Sequence, residues 1–178
     1  MKFKFKKLSL IIMSFLLMIS FFNCSDKMEF DIVPLIEFQE YKIYSDNSGL
    51  DTAIILTISF QDGDGDIGLS QSDTLAPFNS GSEYYSNMIV EYYEYNYTDS
   101  QYTKVTPNPF SDDTISYEYR LPIEISPNKN NKAIKGKIDL TINDILAKSN
   151  PIKFKIYIYD RELHKSNIVE SPAINYYP

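Results

Sequence analysis

Residues 152–160 read IKFKIYIYD, apolar and polar side chains taking turns along the segment. Successive side chains leave a strand on opposite sides, so this alternation fits a strand with one buried face. Ile152, Phe154, Ile156 and Ile158 point inward on this reading, and Lys153, Lys155, Tyr157 and Tyr159 outward. The same period recurs along the chain. LIEFQEYKIY (35–44) is expected to place Leu35, Glu37, Gln39, Tyr41 and Ile43 on one face. AIKGKIDLTI (133–142) does the same for Ile134, Gly136, Ile138, Leu140 and Ile142. AIILTISF (53–60) is a buried-looking run rich in β-branched residues. NMIVEYYEYNY (87–97), TISYEYRLPIEI (114–125) and SNIVESPAI (166–174) complete a set of seven. Pro122 marks the fourth of these in chain order, residues 114–125, as an edge or a bulge. SDNSG, SPNKNN and DRELHKS supply turns, and only NDILAKS (143–149), capped by Asn143, suits a helical turn. Seven short strands with turn-rich links point to an all-β fold: an antiparallel immunoglobulin-like β-sandwich over residues 35–178.

The segment before this domain has a different character. Lys2, Lys4, Lys6 and Lys7 precede the uncharged run Leu8–Phe22, and Cys24, the only cysteine, follows. A basic start, a short apolar run and a processing point define a secretory signal. Through SFFNC the segment resembles the lipobox signal peptides of bacterial lipoproteins, with Phe21 and Asn23 in place of more usual residues. The resemblance implies a signal peptide at 1–23, a lipid on Cys24, a tether at 24–34, and export to the outer membrane. Four of the 17 basic residues precede Cys24 and none of the 24 acidic ones does. The chain from Cys24 onward therefore carries 13 basic residues and a formal charge of −11. Such a surface repels phosphate backbones and excludes nucleic acid as a natural partner. Contact with a membrane is expected through the lipid alone, and the domain is expected to be a monomer.

The longest link between strands, Asp62 to Tyr85, opens with DGDGDIG. Calcium takes six to eight oxygens from flexible carboxylates and carbonyls. Asp62, Asp64 and Asp66 supply carboxylates, and the intervening glycines let the backbone turn. The stretch resembles an EF-hand loop but fits neither frame. With Asp62 as first ligand, Asp73 falls twelfth, yet Ile67 takes the place of the turning glycine. With Asp62 as third ligand, Phe60 takes the first-ligand place. A calcium loop grafted between strands remains, set against a simple solvated Asp-Gly turn. In a sandwich the link after the sixth strand reaches the same end, which would bring Asp160 and Glu162 to Asp62, Asp64 and Asp66. Magnesium keeps its waters and zinc prefers His or Cys, so calcium is the expected ion.

ISFQDGDGDIGL and FKIYIYDRELHKSNIVESPAI together resemble uncharacterised small lipoproteins of Bacteroidota-type bacteria. These share an Asp-Gly-Asp-Gly-Asp-Ile-Gly loop and a closing YDRxGxxSNxVxSPxI hairpin. The resemblance implies an immunoglobulin-like outer-membrane lipoprotein and no particular activity.

Three further features carry weaker chemistry. Tyr93, Tyr95 and Tyr97 share a strand face with Tyr92 opposite, a candidate platform for sugars or an ordinary half-buried strand surface. Asp-Thr-apolar triplets at Thr52, Thr74 and Thr114 resemble bacterial O-glycosylation acceptors, and Asn96-Tyr97-Thr98 matches the N-glycosylation pattern. His164 is the only histidine and lies in a turn, with no nucleophile elbow to support a hydrolytic triad. The sequence thus leads to a calcium-stiffened, lipid-anchored, non-enzymatic binding or assembly module, with a protein or glycan partner. A glycan-binding accessory lipoprotein is the alternative, and a hydrolase the third.

Overall fold

A computed structural model describes residues 29–107, 113–122, 133–143 and 145–178. The signal segment and Cys24 lie outside the described residues. Eight strands form among those described. They are β1 (Leu35–Ser45), β2 (Asp51–Asp62), β3 (Met88–Asn96), β4 (Gln101–Lys104), β5 (Ser116–Tyr119), β6 (Ile134–Asn143), β7 (Ile152–Ile158) and β8 (Val169–Glu170). One sheet runs β1-β2-β6; the other runs β4-β3-β7-β8, with β5 also paired to β3. Every pairing is antiparallel. The described residues are all-β, as the alternation predicts, and the two sheets enclose one core. No helix among the described residues is long and apolar enough to cross a membrane.

The core is built by the period-two positions. Ile54, Leu56 and Ile58 of β2 face Val90 and Tyr92 of β3 and Phe154 and Ile156 of β7, all of them buried. Each such side chain contributes roughly 1.5–3 kcal/mol through the apolar surface it removes from water. β6 follows its predicted face, pairing Ile142, Leu140, Ile138, Gly136 and Ile134 with Ile54 through Asp62 of β2. Gly136 leaves space for the Phe60 ring, which would lie 3.0 Å from an added Cβ.

Three expectations need correction. β1 does not keep a single face. A bulge between Phe38 and Glu40 moves the pairing from Ile36↔Phe60 and Phe38↔Ile58 to Tyr41↔Leu56 and Ile43↔Ile54. Ile36 is therefore buried while Leu35 is exposed. One extra residue shifts the phase of alternation, which a strict period cannot represent. The short β4 adds an eighth strand to the expected seven. The turn expected to be helical at 143–149 is not, since Ile145–Ser149 has no helical residue and Ile145 is buried in the core instead. The expected turn at 126–131 falls outside the described residues.

The sandwich has two distinct ends. At one, β2 finishes, β3 begins and the link after β7 folds back, with the Tyr159 amide donating to Asn87 O at 2.8 Å. The N-terminal segment arrives here too: the Gly63 amide donates to Asp31 O at 2.8 Å. At the other end the C-terminal segment closes on the start of β2. The Asp51 amide donates to Tyr177 O and the Tyr177 amide to Asp51 Oδ2, each at 2.8 Å.

Candidate metal centre

The acidic end is an extension of the core pattern. Ile54, Leu56, Ile58 and Phe60 face inward from β2, and Asp62 is the next step of the same ladder. Ile152, Phe154, Ile156 and Ile158 face inward from β7, and Asp160 is the next step there. Asp62 and Asp160 are both fully buried, at 0% and 1% exposure. Each is a carboxylate where alternation would put an apolar residue, and the two come from opposite sheets.

Beyond Asp62 the chain doubles back on itself. Gly63 lies against the arriving N-terminal segment, where an added Cβ would stand 2.7 Å from Asp31 O. Gly65 adopts a left-handed φ of 70°, open to glycine at no steric cost. The turn brings carboxylate oxygens of Asp62, Asp64 and Asp66 within 4.8 Å of one another. Asp62 Oδ2 accepts the Asp66 amide at 2.9 Å. The Oδ1 atoms of Asp62, Asp64 and Asp66 are all buried without any hydrogen-bond partner.

Buried polar atoms are nearly always paired, so three orphaned carboxylate oxygens in one place are costly. At 4.8 Å and an effective dielectric of about 20, each like-charged pair adds roughly 3 kcal/mol of repulsion. The carboxyls respond by holding protons. Burial pushes Asp62 up to about 6, with Asp64 and then Asp160 adding repulsion. Burial also pushes Asp66 up to about 7, and here Asp160 is the strongest of the neighbouring charges, followed by Asp64, Asp62 and Glu162. A divalent cation would relieve both costs, supplying the missing partner and cancelling the repulsion. The donors are all hard oxygens, the chemistry that calcium selects.

The other predicted ligands are placed as follows. Asp160 acts on Asp62 and Asp66 through its charge, while its side chain is engaged by its own turn: Oδ1 accepts the His164 amide and Oδ2 meets His164 Nδ1, both at 2.8 Å. Glu162 is exposed and acts on Asp66 only through its charge. Asp73 is directed elsewhere. It takes Arg161 in a two-point pair at 2.6 and 3.1 Å and accepts the Ser70 amide at 2.7 Å. The Arg161 guanidinium holds the Asp73 carboxyl down to about 2. The twelfth position of an EF-hand frame therefore closes an ion pair with an arginine three residues after the end of β7.

The long link is organised by two arginines that its sequence did not single out. Arg120 donates to the carbonyls of Tyr85 at 2.6 Å, Asp73 at 2.8 Å and Ser70 at 2.9 Å. Arg161 also reaches Gly68 O at 3.4 Å, fastening the turn after β7 to the acidic loop. The hairpin motif has a comparable physical basis. Ser166 Oγ accepts the Ile158 amide and Ser171 Oγ the Phe154 amide, each at 3.0 Å. The Asn167 side chain accepts the Ile36 amide and donates to Ile36 O, both at 2.8 Å, so it ties the second sheet to the first. In the sequence this tie is marked only by the Ser-Asn pair of the hairpin motif.

The tyrosine face lies on the outside of the second sheet. Tyr95 packs edge-on against Tyr97 and Tyr102, with ring centroids 4.9 and 5.2 Å away. Lys155 lies 4.9 Å from the Tyr93 ring centre and Lys153 4.5 Å from that of Tyr102. A sugar stacking on Tyr93 would have to displace an ammonium group. Tyr92 faces the core, as expected, and its hydroxyl donates to Glu94 at 2.8 Å. Thr52, Thr74 and Thr114 are all exposed. Among the described residues no serine or threonine hydroxyl is hydrogen-bonded to the second ring nitrogen of His164. Comparison with protein-family models, with curated proteins and with solved structures finds no match to this chain.

Proposed function

We propose that this chain is a lipid-anchored, calcium-stiffened β-sandwich of immunoglobulin-like type, carried on the outer membrane as a non-enzymatic binding or assembly module. The observation that carries the proposal is the set of three buried Oδ1 atoms of Asp62, Asp64 and Asp66, close together and without partners. The ion has a structural role on this reading: it closes the end of the core between the two sheets and fixes the start of a long link. The strand order supports the immunoglobulin-like assignment. β1, β2 and β6 stand where strands A, B and E of that fold stand, and β3, β7 and β8 where C, F and G do. The lipid on Cys24 follows from the resemblance of the leading segment to lipobox signals.

Thermal unfolding of the purified protein with millimolar calcium and with excess chelator tests the cation reading. Calcium is expected to raise the melting temperature at neutral pH, since an ion that binds only the folded chain stabilises it by mass action. Identical melting curves in calcium and chelator would remove the reading.

A further inference from the structure

We infer that Asp160, from the opposite sheet, is the fourth carboxylate of the cation site, and that cation binding takes it away from His164. This rests on the cation reading above and adds to it a specific ligand and a specific exchange of partners. Asp160 continues the inward face of β7 as Asp62 continues that of β2, so the two side chains are aimed into the same end of the core. The turn bearing Asp160 is held against the loop by Arg161, which contacts Gly68 O and Asp73. Asp160 is accordingly the neighbour whose charge acts most strongly on Asp66.

Among the described residues, the side-chain partners of Asp160 come from its own turn. That turn holds Leu163 at a φ of 69°, a left-handed conformation that a branched side chain adopts under strain. Calcium takes six to eight oxygens, and three aspartates with nearby carbonyls leave room for another carboxylate. Swinging Asp160 from the imidazole to the ion would add a further oxygen to the shell. It would also make the ion a cross-link between sheets, with Asp62, Asp64 and Asp66 on one side and Asp160 on the other.

The single histidine of the chain makes the exchange observable, because its ring gives one unambiguous set of NMR signals. Calcium affinity is measured by calorimetry for the wild type, Asp160→Asn and His164→Ala, and the His164 ring signals are followed through a calcium titration of the wild type. The expected results are three. The His164 signals move in step with saturation, Asp160→Asn weakens binding about tenfold or more, and His164→Ala, which removes the ring contact to Asp160 Oδ2 and leaves the backbone amide on Oδ1, tightens it. If Asp160→Asn does not fold, the His164 signals and the His164→Ala affinity decide. If the wild type binds calcium while its His164 signals stay still, the inference is overturned and the cation reading survives. The same holds if Asp160→Asn binds as the wild type does. If the wild type binds no calcium, both fall.

Discussion

Asp62 occupies a place where an isoleucine would complete the inward face of β2, and its cost to the apo chain should be measurable. Asp62 and Asp66 keep their protons to about pH 6 and 7 in the folded chain, whereas an unfolded aspartate releases its proton near pH 4. Between those values the folded state binds more protons than the unfolded one. Its stability without calcium must therefore fall as pH rises from about 4 to about 7. Asp73 has the opposite sign: Arg161 holds it down to about 2, so its contribution is present above pH 4 and disappears as pH falls towards 2. Melting temperature in chelator should peak near pH 4–5. Asp66→Asn removes one of the raised carboxyls, so melting scans should show a higher midpoint at pH 7.5 in chelator, a flatter decline above pH 5, and no response to calcium. A variant less stable than the wild type in chelator at pH 7.5 would contradict the repulsion described for the loop. The sequence made these carboxylates legible because Asp-Gly alternation is both a turn signal and a ligand pattern. It also led, through topology, to the expectation that Asp160 approaches them. It gave no sign that Asp73 is held by Arg161, which lies far along the chain and becomes a neighbour only in three dimensions.

At the scale of elements, Arg120 is the residue on which the long link depends. Its guanidinium serves the carbonyls of Ser70, Asp73 and Tyr85 and lies 5.1 Å from the Tyr85 ring centre. Arg120→Ala should leave the half-buried carbonyls of Ser70 and Asp73 without this donor and cost roughly 1–3 kcal/mol. The loss is local, so limited proteolysis should cut between residues 70 and 85 faster than in the wild type, while amide exchange in β2 and β7 stays slow. Equal cleavage of both proteins would show that the link is held by other contacts. This part of the fold was not readable in advance. A carbonyl-binding arginine leaves no pattern in sequence, because its partners are backbone atoms present at every residue. The strands themselves were readable wherever one face is buried throughout, as in β6 and β7. β1 was misread at its bulge, and β4 was missed because only four residues pair, at the edge of a sheet with little burial to enforce a period.

For the whole molecule, the fold class was legible from alternation alone, and the meeting of the two acidic segments followed from it once the strands were placed. The partner was not, since nothing in the outer tyrosine face or in the exposed turns fixes a ligand. The positions of the two chain ends have a mechanical consequence. The N-terminal segment joins the domain beside Gly63, at the finish of β2, and the C-terminal segment leaves it beside Asp51, at the start of β2. A domain held by its leading segment and loaded at its tail would feel tension along the strands. The hydrogen bonds between strands lie across that direction, so they would resist together in shear instead of opening one after another. In single-molecule pulling, attachment at the two ends should give a high rupture force. Attachment at residues 29 and 64, both on the acidic side, should peel β1 from β2 at a much lower one. Force applied between these two ends would act along the direction in which the paired strands best resist it.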